Sequence, residues 1–114
     1  MDLDIKESGI VCTLKVKGRL VTGEPVSQFE AAFLNALSSG HILLIFDLEA
    51  VPFLDSSGMG SLVKALRSST KLGGNVKLVK PANFVSKTLK MVGVLDLFQV
   101  YESLEDAEAA CVGS

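Results

Sequence analysis

The stretch His41–Leu66, HILLIFDLEAVPFLDSSGMGSLVKAL, contains the two elements that decide the fold. Its first part, His41 to Leu48, is an almost continuous apolar run, which indicates a strand covered on both faces at the centre of a sheet. A turn of one acid, two hydroxyls and two glycines follows, and the apolar residues after it recur with helical spacing. The stretch therefore predicts a central strand joined by a polar turn to an amphipathic helix.

The residues before this stretch predict a hairpin and a helix. Apolar residues alternate with polar ones in 3–5 and again from Ile10 to Val16, which predicts two strands with Glu7-Ser8-Gly9 as their turn. Pro25 suits the first turn of a helix, and Gly40 would end it. The apolar stripe of that helix consists of Val26, Phe29, Phe33, Ala36 and Leu37.

The residues after the stretch continue the alternation of helices and strands. A strand over Val76 and Leu78 is broken by Pro81, a helix ends at Gly93, Phe98–Tyr101 forms a last strand, and Ser103 begins a short helix through Ala110. The predicted stripes are Met59, Leu62, Val63 and Leu66 in the helix that Gly73-Gly74 ends, and Phe84, Val85, Leu89 and Val92 in the next. An opening antiparallel hairpin followed by parallel strands predicts an α/β fold with a mixed β-sheet and about four helices packed against it.

Length and composition exclude several classes of protein. The 114 residues suit one domain over residues 1–114, with a net charge of −2 and single, scattered lysines that do not suggest a nucleic-acid binder. Apolar residues make up 48% of the chain, yet no run approaches the ~20 residues of a membrane span, and the first residues do not form a signal peptide. Cys12 and Cys111 lack metal-ligand spacing. We therefore expect a cytoplasmic protein without a cofactor, metal or membrane segment.

The polar turn after the central strand is the candidate functional site. Right-handed crossovers bring the carboxyl ends of parallel strands to one rim, where open α/β sheets bind ligands and partners. The turn presents Asp55, Ser56 and Ser57 at this rim. A serine nucleophile would need a base, and the only histidine, His41, begins the central strand at its other end, roughly 20 Å away. The sequence therefore argues against a hydrolase that uses a Ser-His triad within one chain.

Other chemistry at the turn is weakly supported. There is no phosphate-binding glycine-rich loop, and a receiver site built from Asp47, Glu49 and Asp55 lacks an acidic pair after the first strand. A metal site formed by these three acids alone is a separate alternative with little support. Two interpretations remain open. Asp55 or Ser56 caps the helix, which contributes about 1 kcal/mol, or a leftover serine is phosphorylated, since the helix N-terminus favours an added negative charge.

The chain resembles the STAS domain family, the anti-sigma factor antagonists of bacterial partner-switching systems. Its most specific motif is the Asp-Ser-Ser-Gly-x-Gly block at 55–60, between a strand and a helix. The weaker matches are Gly18-Arg19-Leu20, Asp47-Leu48, Gly73-Gly74, Pro81 with Val85, Leu89 and Gly93, and Phe98 before an acidic last helix. Together these matches extend over nearly the whole chain.

The resemblance implies a regulatory binding protein without catalytic activity of its own, with a mixed sheet whose helices lie mainly on one side. In switching members, the serine directly after the aspartate, here Ser56, is phosphorylated by an anti-sigma factor that is also a serine kinase. The unmodified form binds that kinase and frees the sigma factor, and a serine phosphatase restores it. By the same analogy, the partner-binding residues are Asp55, Ser57, Gly58, Met59, Lys64, Arg67, Val21 and Glu24.

One position departs from the switching pattern. Phosphorylated members commonly carry an aspartate where this chain has Val21, and Glu24 is the nearest acid that follows. The departure keeps an alternative open, a STAS adaptor subunit that does not switch and binds a transporter ATPase or another regulatory complex. The sequence also leaves open whether the domain pairs with itself as a homodimer.

Overall fold

A computed structural model describes residues 1–112 and contains a five-stranded mixed sheet. Its strands are β1 (Asp2–Ser8), β2 (Val11–Lys17), β3 (Leu43–Asp47), β4 (Asn75–Val79) and β5 (Gln99–Tyr101). They lie in the order β1-β2-β3-β4-β5, with β1 antiparallel to β2 and the other pairs parallel. The predicted mixed sheet is confirmed, and Gly113 and Ser114 of the predicted domain lie outside the described residues.

Helices cover both faces of the sheet unequally. They are α1 (Glu24–Ser38), α2 (Ser56–Lys71), α3 (Asn83–Met91) and α4 (Leu104–Val112), with a short 3-10 helix at Leu95–Leu97. Residues of α1, α2 and α3 share one large core with β2, β3 and β4, whereas α4 packs on the opposite face. The predicted arrangement, with helices mainly on one side, is therefore confirmed.

Three aromatic rings attach the helical layer to the central strand. Phe29 and Phe33 of α1 lie 5.3 Å apart between ring centroids, and Phe29 lies 4.8 Å from Phe46 of β3, both in edge-on geometry. All three side chains are fully buried. Edge-on aromatic pairs add to the stabilisation that burial alone provides, so this cluster fixes β3, and the turn that follows it, against α1.

The face that α4 covers has its own small core. Ile45 and Val79 of the sheet pack there against Ala107 and Cys111 of α4. Since Ile45 and Phe46 are buried on opposite faces, β3 is covered on both, as its apolar run predicts. The Asp106 N–H donates to the Ser103 hydroxyl over 3.1 Å, which confirms Ser103 as the residue that begins the last helix.

The predicted turn of the hairpin, Glu7-Ser8-Gly9, is correct only at Gly9. β1 continues to Ser8 and β2 begins at Val11, so Gly9 and Ile10 form the turn. Gly9 has a positive φ of 58°, which suits the tight connection. Ile10, predicted to begin the buried face of the second strand, lies in the turn and is 53% exposed.

Several predicted boundaries and stripes also change. The central strand spans Leu43–Asp47 instead of 41–48, and the last strand begins at Gln99, after the buried Phe98. In α3, Val85 and Leu89 are buried as predicted, but Phe84 and Val92 are 53% and 57% exposed. The helix is short and only Val85 and Leu89 on its inner face join the core, so flanking apolar residues remain at the surface.

Candidate functional site

Backbone contacts join the loop after β2 to the segment before α2. The Gly18 N–H donates to the Ala50 carbonyl over 3.0 Å, and the Leu20 N–H donates to the Phe53 carbonyl over 3.0 Å. Leu20 and Leu54 form an isolated parallel bridge and are both buried. The two loops therefore form one rigid unit at the carboxyl ends of the parallel strands, as the topology predicts.

Asp55 is the residue that caps α2. Its Oδ1 accepts from the Gly58 N–H over 2.8 Å, and its Oδ2 accepts from the Thr22 N–H over 2.9 Å. The first bond satisfies a donor that the helix leaves without an intrahelical partner. The second spans 33 positions of sequence and connects the cap to the loop after β2. Of the two capping residues that the sequence allowed, the structure therefore uses Asp55.

This arrangement leaves both serine hydroxyls of the turn unused. Ser56 and Ser57 are the first two residues of α2, and both are exposed. Within residues 1–112, neither hydroxyl has a hydrogen-bond partner. An exposed hydroxyl at a helix N-terminus is open to modification, and the positive end of the helix dipole favours the charge that modification would add.

Gly58 lies where the helix meets the loop after β2. It is buried, and a Cβ added to it would be 2.2 Å from the Leu20 carbonyl oxygen and 3.1 Å from the Leu54 side chain. Only a residue without a side chain allows this approach. Gly58 is therefore required by packing, whereas Gly60, two positions later, faces open space and is exposed.

The two backbone donors also shift the acidity of Asp55. The Thr22 N–H, followed by the Gly58 N–H, holds the pKa of the Asp55 carboxyl below its ordinary value of 3.8. Both donors interact more strongly with the ionised carboxylate than with the neutral acid. The cap is therefore strongest when Asp55 carries its charge.

We expect Asp55→Asn to destabilise the protein in a pH-dependent way. Because the folded-state pKa lies below that of the unfolded chain, ionised Asp55 stabilises the fold above about pH 4, and this contribution is lost as pH falls through the folded-state pKa. Asparagine has one acceptor oxygen and can keep only one of the two bonds. Urea unfolding should show a lower midpoint for the variant at pH 7, and the difference should shrink as the pH falls below about 4. A difference independent of pH would contradict this assignment.

The predicted partner-binding residues of α2 lie along one surface. Met59 is half-buried, while Lys64 and Arg67 are exposed. Lys64 Nζ lies 3.1 Å from Glu30 Oε1 of α1, so this lysine bridges two helices. A groove of about 640 Å³ runs between α2 and the end of α3, and it is lined by Met59, Val63, Lys64, Arg67, Lys71, Val92 and Val94. This surface, from Ser56 along α2, combines apolar side chains with positive charges.

The remaining predicted residues, Val21 and Glu24, lie in the loop that Asp55 holds. Val21 is half-buried, and its carbonyl accepts from the Val26 N–H over 3.2 Å. Glu24 is the exposed first residue of α1, and its carboxylate accepts from the Gln28 side chain over 3.0 Å. The Thr22 bond to Asp55 attaches this loop to the start of α2. The structure therefore brings both residues to the same rim as Ser56.

An aromatic cluster beside the turn was missed by the sequence analysis. Phe53 stacks on Phe84 with 5.5 Å between ring centroids, and the Arg19 guanidinium lies 5.2 Å from the centre of the Phe53 ring. Phe84 is half-exposed and Arg19 is exposed. Nothing in the helical spacing separates Phe84 from its buried neighbour Val85, so only the packing of α3 reveals this surface.

Groups suited to other chemistry are not assembled at this rim. His41 lies at the opposite end of β3, where Nδ1 is 2.6 Å from the Gly9 carbonyl and Nε2 is 2.9 Å from Glu7. Asp47 accepts from the Glu49 N–H over 3.1 Å. Among residues 1–112, no cluster of three or more His, Cys, Asp or Glu side chains is suited to a metal ion. In that same part of the chain, no helix has the length and apolar character to cross a membrane.

Comparisons with known proteins agree on one family. The STAS domain model matches residues 2–107. A relative from Thermotoga neapolitana is 28% identical over 75 residues. It is named as a homolog of the anti-sigma factor antagonist TM1081. That match covers 66% of this chain and spans 64% of the relative's length.

Solved structures share the fold over nearly the whole chain. An anti-sigma factor antagonist from Thermotoga maritima has a TM-score of 0.87 at 23% identity, with 95% of this chain and 92% of that one covered. The anti-sigma factor antagonist SpoIIAA in its unphosphorylated form has a TM-score of 0.86 at 22% identity, with 99% and 98% covered. SpoIIAA from Bacillus in its phosphorylated form has a TM-score of 0.78 at 20% identity, with 96% and 99% covered.

Proposed function

The chain belongs to the STAS domain family, and on that premise we propose that it is an anti-sigma factor antagonist controlled by phosphorylation of Ser56. The unmodified protein binds an anti-sigma factor that is also a serine kinase, and this binding frees the sigma factor. Phosphorylation of Ser56 switches the binding off, and a serine phosphatase restores it. The protein acts in the cytoplasm through protein contacts, as a single domain over residues 1–114, without catalysis or direct binding of nucleic acid.

The observation that carries this proposal is the separation of the capping residue from the hydroxyl. Asp55 satisfies the first turn of α2 and holds the loop after β2, while the adjacent Ser56 hydroxyl is exposed. A phosphoryl group would add a charge of about −1.5 to −2 at this position. The helix N-terminus favours that charge and ionised Asp55 opposes it, so the fold is retained while the surface changes. SpoIIAA, solved in both forms, supports a STAS fold that accommodates the group.

We propose that the docking surface surrounds Ser56. It consists of Val21, Glu24, Asp55, Ser57, Gly58, Met59, Lys64 and Arg67. We include Arg19, Phe53 and Phe84 because they form a cluster beside the turn. Half-buried apolar side chains beside exposed charges are typical of the centre and rim of protein interfaces. In this arrangement Phe84 supplies an exposed aromatic side chain, a residue type that is enriched in protein interfaces.

Affinity purification of the tagged protein from its native cells tests the proposal. We expect an anti-sigma factor with a kinase domain to co-purify with the wild-type chain, as identified by mass spectrometry. Phe84→Ala should reduce its recovery at least about tenfold, since a buried aromatic contact commonly contributes 2 kcal/mol or more to binding. Met91→Ala is the matched control, because Met91 is 87% exposed in the last turn of the same helix. Equal losses with both variants would contradict the placement of the interface.

The same experiment separates the proposal from a non-switching adaptor. The half-buried Val21, where switching members of the family commonly carry an aspartate, favours that second function. An adaptor would co-purify with a transporter ATPase or another regulatory complex in place of the kinase. Recovery of such a complex without an anti-sigma factor would replace the proposed function.

A further inference from the structure

β1 is the edge strand of the sheet among the residues that the structure describes. It pairs with β2 along all seven of its residues, from Asp2 to Ser8, and its other side carries no strand. Ile5, at its centre, is 55% exposed although its partner Leu14 is fully buried. An edge of this length with an exposed apolar centre is suited to pairing with another strand.

The side chains of β1 are complementary to those of a second β1. In an antiparallel pair with a two-fold axis through Ile5, all seven residues overlap and the two Ile5 side chains meet. Asp4 then lies opposite Lys6 of the second copy, and Lys6 opposite its Asp4. These side chains are 63% and 71% exposed, so both are accessible at the edge. The register with the most backbone pairing is therefore also the register with opposite charges adjacent.

Neighbouring symmetric registers are less favourable. An axis through Asp4 places the two Asp4 carboxylates opposite each other, and an axis through Lys6 does the same to the two ammonium groups. Like charges directly opposite destabilise an antiparallel pair. The existing bond between Lys17 and Asp4, 2.7 Å long, lies toward β2 and further orders the Asp4 carboxylate. The axis through Asp4 also places Asp2 opposite Lys6, but it pairs only residues 2–6 and keeps the Asp4 repulsion. Full overlap and charge together therefore favour the axis through Ile5.

We propose that two copies of this chain pair through β1 and form a continuous ten-stranded sheet. The two-fold axis places the α1–α3 layers of both copies on one side. β1 is separated from β3, and therefore from the turn that carries Ser56, by the whole of β2. The dimer leaves both Ser56 surfaces accessible, and it does not depend on the proposed function.

Charge exchange tests the pairing without relying on a single variant. Asp4→Lys makes positions 4 and 6 both positive, and Lys6→Asp makes them both negative. Each variant alone should dimerise at least about tenfold more weakly than the wild type in sedimentation equilibrium, because attractive pairs become repulsive. An equimolar mixture should recover the wild-type affinity, since the two positive positions of the Asp4→Lys chain then lie opposite the two negative positions of the Lys6→Asp chain.

The mixture also controls for damage to the fold, because a misfolded variant would not regain pairing. Circular dichroism of each variant gives a second check. A wild-type chain that stays monomeric through the millimolar range would overturn the proposal. So would wild-type affinity in either single variant, or a mixture that stays monomeric while the wild type dimerises.

Discussion

Replacing Gly58 with alanine is expected to lower the free energy of unfolding by about 3 kcal/mol. The new methyl group would be 2.2 Å from the Leu20 carbonyl oxygen, which is backbone and cannot rotate away. The start of α2 must therefore move away from the loop after β2. That movement also stretches the bonds from Asp55 to the Gly58 and Thr22 N–H groups. Chemical unfolding followed by circular dichroism measures the loss.

Gly60→Ala is the matched control for this prediction. Gly60 lies in the same helix, two positions later, with no heavy atom within 4 Å of an added Cβ. Alanine there lowers the conformational entropy of the unfolded chain and suits a helix, so the variant should gain about 0.5–1 kcal/mol. Opposite signs for the two substitutions are the expected result. Similar small effects for both would mean that the loop after β2 does not hold the helix as closely as described.

The second large effect is expected at Ser56. Ser56→Asp should weaken binding to the co-purifying anti-sigma factor at least about thirtyfold, because an unpaired charge placed in an interface costs 2 kcal/mol or more. Ser56→Ala should bind within a few-fold of the wild type, since it removes a hydroxyl that makes no contact among residues 1–112. Isothermal titration calorimetry with the purified pair measures both affinities.

A third variant separates position from net charge. Ser39→Asp adds the same charge at an exposed site just after α1, at the opposite rim of the sheet. It should leave the affinity unchanged within a few-fold, because screening weakens interactions beyond roughly 10 Å in ordinary salt. If Ser39→Asp weakens binding as much as Ser56→Asp does, the effect is general electrostatics and Ser56 is not at the interface.

The sequence predicts the fold well because its strongest patterns arise from burial. The apolar run of β3 is read correctly, since both of its faces are covered by helices. Alternation is less reliable at the ends of elements. Ile10 continues the period of β2 but lies in a turn, and Phe84 adjoins the buried Val85 but faces solvent. At such positions local spacing is the same for buried and exposed residues, and tertiary packing decides.

The site is predicted only in part, for a related reason. The block at 55–60 marks where the candidate turn lies, and its position after β3 follows from topology. The division of roles within it depends on contacts between distant segments. Asp55 caps the helix while bound to Thr22, 33 positions earlier, and Gly58 differs from Gly60 only because the Leu20 carbonyl lies beside it. The local sequence pattern does not reveal these contacts between Asp55 and Thr22 or between Gly58 and Leu20.

The measurement that tests the central claim most directly is the intact mass of the protein from its native cells, with and without stress, followed by mapping of any phosphorylated residue. We predict one phosphoryl group on Ser56 whose occupancy changes with condition. A phosphoryl group on Ser57 alone would show that the neighbouring hydroxyl is the acceptor and contradict the assignment. An unmodified chain in every condition would contradict the switch itself and favour an adaptor that binds its partner constitutively.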